Sequence, residues 1–397
     1  MKKLVVLFCS PLLLLPELIV GQTATSITNG NWTNPFTWDC TCVPTDGYSV
    51  NINHNVSLNT SMVFNSGGIT INSSGSLQQD ASANKDIWIN GGNFYSTGTF
   101  SVRYFLLSSG LGYNYGSFTV NAFSTASLFY NHGAMFMDSM SVSGSFTNIS
   151  TGTLYGDSIR NTGVFANDGR MSVVWATNNN LWYNNNYQSG FSMTNLGVFE
   201  NSDTLLLSNS FWNANNFWNK PNSTFIAYND FFNTNAANNA SFNNEGIVDV
   251  YDSWYNTDTV KGTSTGYFTV GDTSANSGFM KDSFDFCDLT PPASAPFVDL
   301  NSGTIDATIT WCSAVGMKES ERDNTIVVFP NPSNSTFSVK GTEKSIIRIT
   351  DELGRVVYTA ELNENNNFTL QISGLQSGIY FLSSGQKNLI KKISVSN

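Results

Sequence analysis

Basic residues are scarce in this chain: 18 Lys plus Arg among 397 positions, against 29 Asp plus Glu, for a net charge of −11. Nucleic-acid affinity rests on clustered Lys and Arg, so that class of partner is excluded. Charged residues of both signs reach only 12%, while aromatics make up 13%; a globular average would be roughly 25% charged. A chain so aromatic and so weakly charged is not a solvated disordered polymer. Histidine occurs twice, at His54 and His132. After the first stretch no segment is apolar enough to cross a bilayer, so no transmembrane segment is expected. What is abundant is Asn, with 51 residues. Polar, aromatic and rich in Gly and Asn, the chain reads as exported β-structure.

The N-terminal stretch has a basic start (Lys2, Lys3), an apolar run from Leu4 to Leu15, and Gly21 as a small residue for cleavage. This is the layout of a secretory signal peptide over residues 1–21, with Gln22 near the mature start. A membrane anchor is the poorer reading, because Pro11, Pro16 and Glu17 interrupt a run already short of the ~20 residues a span needs. Removal of Cys9 leaves Cys40, Cys42, Cys287 and Cys312. An even count in an exported chain suggests disulfides. Cys287 and Cys312 flank a loop with Pro291, Pro292 and Pro296 and are the favoured pair. Cys40 and Cys42 are separated by one residue, which strains a bridge between them. Whether they bond to each other or share a metal with His54 stays open, although a CxC and one His fall short of four ligands.

From Ile326 onward, apolar residues alternate: Ile347 and Ile349, Val356 and Tyr358, Leu370 and Ile372, Tyr380 and Leu382. Period two means half-buried strands, and turns at Gly354 and at Ser377-Gly378 join them into a small Ig-like β-sandwich over 326–397. The segment resembles the C-terminal sorting domain of proteins exported by the type IX secretion system of Bacteroidetes. Pro330-Asn331-Pro332 matches its opening, Gly354-Arg355 its central turn, Leu375, Gly378 and Tyr380 its strand entry, and Lys391-Lys392 its basic ending. Phe329 stands where Tyr is common, and Asn397 where a basic residue is common. The resemblance implies that outer-membrane type IX machinery recognises the domain, guides the chain across the outer membrane and often cleaves the domain off. The charged stretch 313–325 before it lacks apolar periodicity and reads as a linker.

Residues 22–312 repeat a short unit of Gly, one residue, an apolar residue and polar residues: "GSFTV" from Gly116, "GVFAN" from Gly163, "GVFEN" from Gly197, "GIVDV" from Gly246, "GYFTV" from Gly266. Successive units, of which these are examples, are read as lying mostly about 19 to 27 residues apart, with a longer gap between Gly163 and Gly197, and a period near 20 without helical spacing is the mark of a β-solenoid. The expectation is a right-handed parallel β-helix of roughly eleven or twelve coils, each rising ~4.8 Å. Apolar residues point inward, and stacked Asn amides bond to one another at the corners. Residues 178–244 hold 21 Asn and are read as such corners with polar insertions. The opening segment around Trp32, Thr37, Trp38, Pro44, Val50, Ile52, His54 and Val56 resembles the start of exported β-helix proteins and is expected to cap the stack.

Candidate chemistry is sparse. Asp203, Asp252 and Asp272 each follow a unit's Gly by six residues, and Asp230 joins them in a unit without the Gly. One aligned face of Asp suits Ca²⁺ or the paired carboxylates of glycoside hydrolysis. Regular recurrence favours a plainer role, in which each Asp accepts hydrogen bonds at a corner; no cofactor is required. Ser139, Ser158, Thr204 and Thr259, each after an Asp and before an apolar residue, resemble O-glycan acceptor sites of exported Bacteroidetes proteins. Trp212, Trp218 and Trp254 are the candidates for a platform on which sugar rings stack; the other reading has them fill an insertion or cap a corner. The expectation is an exported, non-catalytic, adhesin-like β-helix, at the cell surface or released, contacting glycans or a host or matrix surface. The alternative is a polysaccharide-binding or polysaccharide-degrading enzyme on the same scaffold.

Overall fold

The structure is a computed structural model that describes residues 21–82, 84–234, 241–313, 326–331, 333–334, 336–341, 344–351, 355–384 and 387–396. The signal peptide read over 1–21 and the linker read over 313–325 therefore lie, save for Gly21 and Ser313, outside the described residues. The chain divides into two units, one ending at Ser313 and one beginning at Ala314.

The first unit is a parallel β-solenoid of about 13 turns. Each coil lays down strands on three faces. The first face is a 15-stranded parallel sheet running from Thr23–Thr25 to Thr304–Ile305. The second face includes Asn55–Leu58, Ser76–Gln79, Thr204–Leu207 and Tyr267–Val270. The third includes Asp86–Ile89, Phe211–Asn213, Phe231–Asn233 and Trp254–Asn256. In the middle coils the second and third faces share continuous nine-residue strands: Thr99–Leu107, Ser117–Thr125, Ala134–Val142, Thr153–Asn161 and Arg170–Asn178. Pairing along these strands skips Arg103, Asn121, Asp138, Asp157 and Val174, which mark the bend between the faces.

Side chains alternate in and out along most strands, and the inward set mixes aliphatic residues with many aromatic ones. On the first face Phe129, Phe146, Phe165 and Trp182 form a column, with successive ring centroids 5.8, 5.2 and 4.1 Å apart. Gly112 takes the place of a large residue in this column, because a Cβ there would overlap the Phe129 ring. A second set of glycines stacks where the first face turns into the second. A Cβ on Gly133 would overlap the carbonyl of Gly116, and one on Gly116 that of Gly98. Backbone approaches backbone too closely there for any side chain.

Two ladders of asparagine run up the stack, each at the last residue of a strand and each member but Asn301 buried. Along the first face, Asn114, Asn131, Asn148, Asn167, Asn184, Asn201 and Asn219 each pass a side-chain N–H to the next amide oxygen at 2.8–3.0 Å, the last to Asn244. Along the third, Asn161, Asn178, Asn195, Asn213, Asn233, Asn256 and Asn276 do the same at 2.7–2.9 Å, the last to Asn301. A buried amide without partners is costly. Here spare valences go to the backbone: Asn178 also donates to Val198 O at 2.9 Å and accepts from the Asn180 N–H at 3.2 Å. The ladder step is 17 residues in the middle coils and lengthens to 25 later. This shorter basic coil is why the stack holds more turns than the eleven or twelve expected.

The ends are closed differently. At the N-terminal end Trp32 and Trp38 are fully buried and meet edge-to-face at 5.0 Å. Their indole N–H groups donate to Pro44 O and Trp32 O. A Cys40–Cys42 disulfide lies beside them in sequence, and His54 Nδ1 pairs with Ser26 O at 2.8 Å instead of joining the cysteines. At the C-terminal end Cys287 and Cys312 are bonded, and Phe297 packs on Trp311 at 5.8 Å.

The second unit consists of a three-stranded antiparallel sheet (Ile326–Phe329, Thr336–Gly341, Thr369–Ser373) and a five-stranded one. In the latter Gly378–Ser384 pairs antiparallel with Ser345–Asp351 and with Lys387–Ser396. Phe337, Val339, Ile347, Ile349, Ile372, Tyr380, Leu382 and Ile393 form one core between the sheets.

Candidate functional site

Outward positions carry whatever function the solenoid has, because the inward ones are spent on the core. At the bend of the long strands lies a shallow groove of ≈ 490 Å³. Phe136 and Asp138 are two apart on Ala134–Val142 and so share the outer face; Tyr155 and Asp157 repeat the arrangement on Thr153–Asn161. Phe136 pairs in register with Tyr155, and their rings are offset-stacked with centroids 5.3 Å apart and planes 10° from parallel. The rings are 42% and 45% exposed. Their neighbours in register are small, Thr119 beyond Phe136 and Ser172 beyond Tyr155, so the outer ring faces stay uncovered. Asn121 donates a side-chain N–H to Asp138 Oδ2 at 2.6 Å. Gln79, Ser101, Thr119 and Ser172 complete the polar lining, which contains no Lys, Arg or His.

The sequence reading marked Ser139 and Ser158, each after an Asp, but missed the two rings. The available signal was the repeat of aromatic-x-Asp-Ser at Phe136 to Ser139 and Tyr155 to Ser158.

The aspartate row is split between corners. Asp203 precedes a second-face strand, Thr204–Leu207, whereas Asp230, Asp252 and Asp272 lie between second-face and third-face strands. The repeated unit misled because Gly197 opens a first-face strand while Gly246 and Gly266 open second-face strands, so the same spacing leads to different corners. Burial and then the neighbouring charge of Asp252 push the Asp230 carboxyl up. Asp203 accepts from Thr204 Oγ1 at 2.9 Å, and Asp252 from Ser253 Oγ at 3.1 Å. Among the described residues no three His, Cys, Asp or Glu side chains group as metal ligands.

The tryptophan platform is also corrected. Trp254 is fully buried: it pairs in register with inward Phe231 and packs on Phe268 and Phe286. Trp212 and Trp218 are exposed but stand on different faces, the third and the first. Trp212 stacks on Phe232 at 4.7 Å, and Phe232 on Tyr255 at 5.1 Å; the Lys220 ammonium covers the Trp218 ring at 3.0 Å. Of the Asp-Ser/Thr sites, Ser139 and Ser158 are half-buried and donate to the Asn121 and Asp138 carbonyls at 3.5 and 3.3 Å. Thr204 and Thr259 are likewise half-buried beside their own Asp.

In the second unit Asn331 Oδ1 accepts the Ser394 N–H at 2.9 Å, tying the opening motif to the last strand. Arg355 donates from its backbone N–H and from Nε to the Asp351 carboxylate, at 2.9 and 2.7 Å. Leu375 packs against the core; Gly378 opens a strand; the buried Tyr380 donates its hydroxyl to Gln376 O at 2.9 Å. Pro332, Gly354 and the side chains of Lys391 and Lys392 lie outside the described residues.

Fold and motif together define an exported-type chain: a parallel β-solenoid followed by a small two-sheet domain. Residues 327–396 match the family of the secretion system C-terminal sorting domain. The segment is a type IX sorting domain, which implies handling by that machinery and export across the outer membrane to the cell surface or the extracellular space. No curated protein and no solved structure matches the chain significantly. Among the described residues no helix is long and apolar enough to cross a membrane.

Proposed function

We propose that the exported chain is a non-catalytic, adhesin-like β-solenoid, held at the surface or released, that contacts glycans or a host or matrix surface through its outer faces. The observation that supports this reading is repetition of exposed side chains from coil to coil: Phe136 over Tyr155, Trp212 over Phe232 over Tyr255, Tyr113 over Tyr130. Repetition suits a partner met at many equivalent points, whereas catalysis needs unlike groups converging at one point. A polysaccharide-degrading enzyme is the second reading, and the neighbouring carboxylates of Asp138 and Asp157 are what favour it: strands ~4.8 Å apart place them near the spacing of retaining glycosidases.

The test uses the purified mature chain coupled to beads. Attachment to polysaccharide- or matrix-coated surfaces without release of reducing ends supports the adhesive reading. Release of reducing ends that Asp157→Asn abolishes overturns it in favour of the enzyme. The reading includes O-glycans at Ser139, Ser158, Thr204 and Thr259; an intact mass of the native secreted protein equal to the bare chain sinks that part.

A further inference from the structure

We infer that the groove at Phe136, Asp138, Tyr155 and Asp157 is a binding site for an uncharged polysaccharide lying along the solenoid axis. The inference rests on the adhesive reading and names its partner. Three observations carry it. The first is shape: the groove is lined from Ser76–Gln79 through four long strands to Arg170–Asn178, six neighbouring strands that span about 24 Å at ~4.8 Å per step. That is the footprint of an extended chain, not of a compact small molecule.

The second is repetition with two chemistries in each step. Two successive coils present one ring each in register, Phe136 over Tyr155, and one carboxylate each at the bend, Asp138 and Asp157. The ring faces that Thr119 and Ser172 leave open suit the apolar C–H face of a sugar. Asp138, Asp157 and the hydroxyls of Ser101, Thr119 and Ser172 suit its hydroxyl groups, and a carboxylate is the stronger hydrogen-bond acceptor for them. The third is charge. Two carboxylates without a basic side chain in the lining repel uronates and sulfated glycans, and the neutral ring faces and hydroxyls beside them suit an uncharged chain.

The experiment is affinity electrophoresis of the mature full chain in gels carrying hydroxyethyl cellulose, mixed-linkage β-glucan, glycol chitosan or polygalacturonate, at low and moderate salt. The expected result is retardation by an uncharged polymer that persists in salt, with Kd raised tenfold or more by the double variant Phe136→Ala/Tyr155→Ala. Leu196→Ala, an exposed apolar side chain at another corner of the coil, leaves retardation unchanged, and unchanged circular dichroism melting shows that the groove variant is folded. The inference is overturned by retardation in polygalacturonate alone, by retardation in glycol chitosan alone that salt abolishes, by no retardation in any uncharged gel, or by retardation that the folded double variant keeps. Bead attachment run in parallel separates the two readings. Attachment that survives the double variant overturns the groove and leaves the adhesive role; no attachment by the wild type overturns the adhesive role itself.

Discussion

Replacing Asn178 by Ala tests whether the amide ladders hold the solenoid together. Asn178 donates to Asn195 Oδ1 at 2.8 Å, to Val198 O at 2.9 Å and to Asn180 O at 3.2 Å. It accepts from Asn161 Nδ2 at 2.9 Å and from the Asn180 N–H at 3.2 Å. Some partners keep a second bond, as Asn161 Nδ2 does with Leu181 O and Asn195 Oδ1 with the Gly197 N–H. A made bond contributes about 1 kcal/mol net and an abandoned buried group costs about 1–3, so the expected loss is about 3–5 kcal/mol. The control is Asn185→Ala, whose exposed amide makes a bond to Asp168 and whose loss is within about 0.5 kcal/mol. Urea unfolding with a common slope reads the difference, and hydrogen exchange shows whether the opening spreads to neighbouring coils, as nearest-neighbour coupling requires. Asn178→Asp sharpens the test, because at neutral pH it sets a carboxylate against Asn195 Oδ1 and Val198 O. It is expected to cost more than Ala at pH 7 and to recover in acid, where the neutral acid again donates. An Asn178→Ala loss no larger than that of Asn185→Ala refutes the reasoning.

Gly133→Ala is expected to destabilise by several kcal/mol or to prevent soluble expression, since its Cβ would overlap the Gly116 carbonyl; a melt unchanged from wild type contradicts the close approach. Burial, then the charges of Asp249 and Asp285, push the Tyr267 hydroxyl up from 10 to about 12. The folded chain holds that proton between these values while the unfolded chain has released it, so stability falls as pH rises through this window; Tyr267→Phe flattens the dependence, measured by alkaline unfolding. Cys287→Ser/Cys312→Ser opens a loop with a sequence separation of 25 and is expected to cost about 3.5 kcal/mol by loop-closure entropy, read by urea unfolding against the wild type.

What could be read from the sequence followed from what repeats locally. Alternation gave the strands, excess Asn gave stacked amides, and the sorting motifs gave the C-terminal unit. Phase was harder. First-face and second-face strands both open on Gly and an apolar residue, so Gly197 and Gly246 looked equivalent although they begin different sides of the coil. Trp254 looked like surface for a related reason: in Phe231–Asn233 and Trp254–Asn256 the first residue points in and the second out, and only the register reveals which. The groove pairs residues 19 apart on strands whose bend shows in no single segment. It became visible once the coil length was fixed.

The amide ladders also give the rod an electrical direction. Every step in both runs hands its N–H toward the later coil, so the side-chain dipoles line up head to tail. Their positive ends gather at the C-terminal coils and their negative ends at the earlier ones, as peptide dipoles do along a helix but with the sense reversed along the chain. The last coils carry Asp282, Asp285, Asp288, Asp299 and Asp306. Their placement complements the field that sixteen asparagines build.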